Sequence, residues 1–229
     1  VATIATHQRV EQSITISTWI DNRIRESYVT SYPPAPWHMH GSMWLSVYRL
    51  GHHVDERHPK GIYAVALVDY TAPSPLTYHE LLSARVITAS NGKKAVSVVD
   101  IWVDSPDSVA GGRTLWAIPK GLAKFSGGSS TKGPLSTHTW EASHDEGPIA
   151  TARFSDVTRI APRVPMQGNV EQPGIEEHPD TAWLTMSGRA KLLPARGSWN
   201  FDPDGPLAYL RDATKIASFR GEGFEVDFG

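Results

Sequence analysis

The sequence predicts an α+β protein built mainly from antiparallel β-sheet. Three observations lead there: short runs rich in Val, Ile, Trp and Tyr recur along the chain, hairpin-type turns separate them, and helical periodicity is scarce. The runs are "MWLSVYRL" (43–50), "IYAVALVDY" (62–70), "LLSARVITA" (81–89), "AVSVVDIWV" (95–103), "STHTWEA" (136–142), "IATARFSDV" (149–157) and "AWLTMSGRA" (182–190). Each reads as a strand. Between them "SNGKK" (90–94) and "HDEGP" (144–148) supply the glycines that tight hairpin turns require, so neighbouring strands should run antiparallel.

Two segments read as helices. "SPDSVAGGRTLWAI" (105–118) opens with Ser105 as an N-cap, Pro106 at the first helical position and Asp107 in the first turn. Gly111 and Gly112 weaken it, since glycine costs about 1 kcal/mol against alanine inside a helix. In "GPLAYLRDATKIASF" (205–219), Leu207, Leu210, Ile216 and Phe219 fall imperfectly on one face. By Gly, Pro and Ser content "SGGSSTKGP" (126–134) and "PRVPMQGNVEQPGIEEHPD" (162–180) read as loops, the second long enough for a lid or an oligomer contact. Strand signals resume at once after both, so neither divides the chain. One domain over 1–229 is expected, with 1–31 as an N-terminal arm.

Composition excludes several classes of partner. The 229 residues are 40% hydrophobic, enough for a large core, and the formal net charge is -2 with 20% charged residues. That balance supplies no basic field for nucleic acid or anionic membranes. The absence of cysteine removes disulfides, thiolate metal sites and cysteine nucleophiles together. No apolar run approaches the length of a membrane-spanning helix, and "VATIATHQRV" lacks a basic-then-apolar leader pattern, so a cytoplasmic location is expected.

The chemistry gathers in "LWAIPKGLAKF" (115–125), where Lys120 follows a proline among apolar neighbours. Lysine is rarely buried, because desolvation disfavours its charged form. The segment "SVAGGRTLWAIPKGLAKF" resembles the signature of the acetoacetate decarboxylase family, in which a Gly-Arg-Glu-Leu run leads into proline and two consecutive lysines. Gly112, Arg113, Leu115, Ala117, Pro119 and Lys120 fall on that pattern. "LTYHEL" (76–81) resembles the family's Tyr-x-Glu segment, with Tyr78 and Glu80 on it. "VYR" at 47–49, Asp69 at a strand end and "RAKLLPARGSWNFDPDGPLAYLRD" also match, so the resemblance runs over roughly residues 32 to 228. Four positions depart: Gly121 replaces the second lysine, Thr114 the glutamate after Gly-Arg, Tyr63 an acidic residue and Gly41 an arginine.

The resemblance implies a curved sheet closing into a conical barrel around an apolar pocket, and a carbon–carbon lyase that needs neither cofactor nor metal. It implies Lys120 as the Schiff-base amine, Glu80 as its proton-transfer partner, and Arg113, Tyr63, Tyr78, Trp116 and His40 as substrate contacts. The partner is a small oxo acid or ketone, and the assembly a homo-oligomer. An amine attacks a carbonyl only when neutral, and an unperturbed lysine is neutral in about one copy in two or three thousand at pH 7. A lowered pKa is therefore expected, from burial against Trp116, Ile118 and Leu122, with Lys124 or Arg113 as an assisting cation. β-Keto acid decarboxylation and aldol condensation with dehydration both use the resulting iminium. The lost arginine and acidic residue favour condensation of pyruvate with an aldehyde over turnover of acetoacetate. A non-catalytic carbonyl-ligand-binding protein is the alternative of another class. His38 and His40 also form an HxH pair of the kind seen in metal-binding barrels, but no later ligand completes the spacing, and "GHHVDERHPKG" with His52, His53 and His58 reads as a polar turn.

Overall fold

The run "IYAVALVDY" carries apolar side chains in both phases of its alternation, which requires a strand covered on both faces. The computed structural model, which describes residues 31–157 and 161–229, supplies both covers. Of the expected arm, residues 1–30 lie outside the described residues.

In chain order the strands are β1 (Trp37–Leu50), β2 (Gly61–Thr71), β3 (Tyr78–Thr88) and β4 (Lys94–Val103), then helix α1 (Pro106–Trp116) and β5 (Gly121–Leu122). There follow β6 (Lys124–Lys132), β7 (Leu135–His144), β8 (Gly147–Val157), β9 (Arg163–Gln172), β10 (Ala182–Pro194), β11 (Arg196–Phe201), a 3-10 turn (Ala208–Leu210) and β12 (Thr214–Phe228). Strands β3-β2-β1-β12-β10-β9-β4 form one sheet that closes on itself through the β3–β4 pairing, a seven-strand mixed barrel. A second sheet, β11-β8-β7-β6, lies apart in the hydrogen-bonding order. Ala66, Val68 and Tyr70 of β2 belong to the core inside the barrel, whereas Tyr63, Val65 and Leu67 belong to the core shared with Trp140, Ala152 and Phe154 of the second sheet.

The barrel's weak seam joins β4 and β9. Their pairing is parallel, with Val96 opposite Val170 as its one ladder position. Beyond it the Gln172 side chain stands in for a strand: Nε2 donates to the Val98 carbonyl at 2.8 Å and Oε1 accepts from the Val98 amide at 2.9 Å. Both backbone groups are buried, and each would otherwise lack the partner that a closed barrel must provide.

Three expected elements differ. Residues 205–219 form no helix: Leu207 and Leu210 are buried by a turn in the outer core, and the chain from Thr214 becomes β12, paired with β1 on one side and β10 on the other. Filling that gap in the barrel overrides the imperfect helical pattern. The "SGGSSTKGP" segment lies largely in edge strand β6, where glycine serves close pairing: a Cβ on Gly127 would sit 2.7 Å from the Thr139 carbonyl oxygen. Within 162–180, Arg163–Gln172 is strand β9, whose partner β10 was legible while β9 itself was masked by proline and glycine.

The α1 caps follow the sequence. The Ser105 side chain accepts from the Ser108 amide, with Pro106 and Asp107 in the first turn. Among the described residues no helix is long and apolar enough to cross a membrane. Replacing Gln172 with leucine leaves both Val98 groups unsatisfied, so denaturant unfolding should show a loss of about 1–3 kcal/mol. An unchanged midpoint would mean that the seam closes without this side chain.

Candidate functional site

Helix α1 ends abruptly so that Lys120 can turn back beneath it. Ala117 takes a left-handed conformation (φ 53°), and its amide and that of Ile118 bond the carbonyls of Arg113 and Gly112. The Lys120 amide then bonds the Ile118 carbonyl across Pro119, a tight reversal that proline's fixed φ suits. The glycines expected to weaken the helix have a packing role. A Cβ on Gly112 would lie 2.8 Å from Cδ and Cε of Lys120, and one on Gly111 would lie 2.6 Å from the Trp37 ring. The lysine stem runs along a face that only glycine leaves open.

At its end, Lys120 Nζ donates to Ser108 Oγ at 2.9 Å, Glu80 Oε2 at 3.0 Å and the Tyr78 hydroxyl oxygen at 3.3 Å. The Tyr70 hydroxyl donates to Glu80 Oε1 at 3.2 Å. Lys120 and Glu80 are each 5% exposed. All four of Tyr70, Tyr78, Glu80 and Lys120 line a cavity of about 280 Å³ inside the barrel, together with Trp37 and Trp116, whose rings meet edge to face at 4.7 Å.

The electrostatics reverse one expectation. Burial pulls the Lys120 ammonium down, but the Glu80 carboxylate at hydrogen-bond distance, aided by Tyr78, more than offsets it, and Lys120 stands above its ordinary 10.5. Burial also pushes the Tyr78 hydroxyl up and holds that of Tyr70 well above 10.0, so both are proton donors at neutral pH. The arrangement is a buried ion pair with a direct proton path between amine and carboxylate, flanked by three hydroxyls.

Comparison with known proteins agrees with this fold. The family model of acetoacetate decarboxylase (ADC) matches residues 53–176, more than half of the chain. The chain belongs to the acetoacetate decarboxylase family. No curated protein matches it in sequence. Among solved structures, the acetoacetate decarboxylase of Legionella pneumophila is similar at TM-score 0.57 and 14% identity, covering 88% of this chain and 87% of that one. An acetoacetate decarboxylase-like enzyme from Sphingomonas wittichii RW1 is similar at TM-score 0.56 and 12% identity, covering 86% and 92%. The enduracididine biosynthesis enzyme MppR, solved with the condensation product of pyruvate and imidazole 4-carboxaldehyde, is similar at TM-score 0.52 and 14% identity, covering 86% and 87%. At these identities the likeness is one of fold.

Within this family fold the structure brings Lys120, Glu80, Tyr78 and Trp116 together and places the other sequence candidates elsewhere. Tyr63 is fully buried in the outer core and its hydroxyl donates to the Pro59 carbonyl. It lies seven residues before Tyr70, an odd spacing that puts it on the other face of β2. His40 alternates outward from Met39, stacks edge to face on His38, and takes no part in the cavity. Arg113 points away, forked onto Glu177 at 2.7 and 3.0 Å, while its Nη1 donates to the Lys120 carbonyl. It braces the loop and is not among the residues that line the cavity. Lys124 is surface-exposed beside Asp145, outside the cavity, and takes no part in the field that acts on Lys120. No arginine fits at Gly41, where a Cβ would lie 2.0 Å from the Asp69 carbonyl oxygen.

Two members of the cluster were missed in the sequence. Ser108 stands four residues before Gly112 on α1 and so shares its face, and Tyr70 shares the phase of Val68 and Ala66. Of the histidines, His58 is buried between Asp55 and Asp100 as part of a separate polar cluster with Tyr209. Among the described residues no group of three or more His, Asp or Glu is arranged to hold a metal ion.

Replacing Glu80 with glutamine keeps the shape and removes the charge that raises Lys120. Burial then prevails, and NMR titration of the lysine should find its pKa below 10.5 instead of above it. A Lys120 pKa that stays above 10.5 in the variant would show that another group holds the proton.

Proposed function

We propose that this family member is a carbon–carbon lyase that works through an imine on Lys120, and that it decarboxylates a β-keto acid. The observation that carries this reading is the Lys120 amine, bonded to Glu80, Tyr78 and Ser108 at the polar end of an otherwise apolar cavity. In the resting pair the proton sits on Lys120. Transfer to Glu80 frees the amine, which attacks the substrate ketone, and the carbinolamine oxygen leaves as water after taking that proton back. The protonated imine then accepts the electron pair of the breaking C–C bond, carbon dioxide departs, and the enamine carbon takes up a proton drawn from solvent and relayed through the Glu80–Tyr78 group. Water hydrolyses the remaining iminium to ketone and free lysine. An apolar lining favours the central step, because a localised carboxylate charge is poorly solvated there and disappears as carbon dioxide forms.

Condensation of pyruvate with an aldehyde, the preference drawn from sequence, uses the same iminium and is supported by the fold shared with MppR. It needs a group to hold the α-carboxylate, and among the described lining residues Lys120 is the only cation. That observation favours the β-keto acid. Family resemblance also supports one working domain and a homo-oligomer, whose size ultracentrifugation of the purified chain reads directly.

Incubation with a ketone and borohydride should add one reduced adduct, which peptide mapping finds on Lys120. Lys120→Ala should lose both adduct and turnover, while Glu80→Gln should lower kcat about 10²–10⁴-fold as the proton carrier is removed. An adduct on another lysine, or none with any ketone, would sink the imine reading.

A further inference from the structure

The cavity is larger and drier than acetoacetate chemistry requires. Apart from two indoles, its polar side chains are Tyr70, Tyr78, Glu80 and Lys120, and these form one hydrogen-bonded group. Everything beyond that group is aliphatic, aromatic or thioether. All four methionines of the chain, Met39, Met43, Met166 and Met186, line this one space. Methionine is flexible and polarisable, and it suits walls that close around an apolar ligand of variable shape. At about 30 Å³ per water-sized group, a volume of about 280 Å³ holds about nine such groups. Acetoacetate, with seven non-hydrogen atoms and a single methyl beyond its ketone, would leave part of this wall without a partner.

We propose that the substrate is a β-keto acid longer than acetoacetate, whose ketone bears an unbranched apolar tail of about three to five carbons, the length left once the six non-hydrogen atoms of the 3-oxo acid head are placed in that volume, and that the product is the corresponding methyl ketone. This rests on the Lys120 imine reading. The carbonyl head meets the polar group and the tail lies against the methionine, aliphatic and aromatic side chains that make up the rest of the lining. Each 3-oxo acid anion, with one proton, yields one methyl ketone and one carbon dioxide, so no further reactant is needed. On β9, Gly168 leaves part of that lining open: a Cβ there would meet only the Met186 methyl, at 3.3 Å.

The test is carbon dioxide release from acetoacetate, 3-oxohexanoate, 3-oxooctanoate and 3-oxodecanoate, with borohydride trapping in parallel. Burial of each added methylene should raise kcat/KM about fourfold until the space is filled. In Gly168→Leu, which takes up part of the apolar space, the ratio of 3-oxooctanoate to acetoacetate rates should fall at least tenfold. If Lys120 is trapped by ketones but acetoacetate reacts as well as the longer acids, the tail site is overturned and the imine reading stands. If nothing is trapped, calorimetric binding of the secondary alcohols 2-butanol to 2-nonanol, which cannot form an imine, decides separately: affinity rising about fourfold per methylene supports the tail site, and a flat series overturns it.

Discussion

The contact between Lys120 and Glu80 is the constraint around which the rest of the structure is arranged. Two opposite charges, each 5% exposed, sit inside a barrel whose remaining interior is almost wholly apolar. Removing such a pair from water costs several kcal/mol per ion, and mutual attraction offsets that only with good geometry and further hydrogen bonds. Those bonds come from Ser108, Tyr78 and Tyr70. A barrel that needed only stability would place apolar side chains at these positions. The pair's value is chemical: a proton that can pass between an amine and a carboxylate 3.0 Å apart turns a charged, unreactive lysine into a nucleophile and stores the proton for dehydration.

Several features far apart in sequence serve that contact. Gly111 and Gly112 open the helix face on which Trp37 and the lysine stem lie, the left-handed Ala117 ends the helix, and Pro119 fixes the reversal that aims the side chain inward. The left-handed conformation of a non-glycine residue costs about 1–2 kcal/mol, and it persists here because the surrounding bonds determine it. Arg113, held by Glu177, ties down the Lys120 carbonyl from outside. Glu80 is placed independently, by a strand whose alternate residues Tyr78, Glu80, Leu82 and Ala84 all line the cavity.

The legible parts of the sequence were those governed by local rules. The alternating runs became β1 to β4, β7, β8 and β10, and Ser105, Pro106 and Asp107 began α1 as read. Strands β6, β9 and β12 were hidden because their glycines, prolines and helix-like spacing answer to neighbouring strands, as Gly127 does against Thr139. Lys120 and Glu80 emerged from motif resemblance, whereas Tyr63 followed an alignment that ignored strand phase and His40 was singled out through its pairing with His38 in sequence. Period two alone separates Tyr63 from Tyr70. The pKa direction was unreadable, because it depends on how closely two residues forty positions apart approach in space.

The central claim is that the buried pair is kept for chemistry and not for stability, and a double-mutant cycle tests it most directly. Chemical denaturation of Lys120→Met, Glu80→Leu and the combined variant should show each single change destabilising by about 3–5 kcal/mol, since each leaves a lone buried ionisable group. The combined variant should be as stable as the parent chain or more so, while forming no imine. Additive losses, with the double variant weaker than either single one, would contradict the account and make the pair a structural brace.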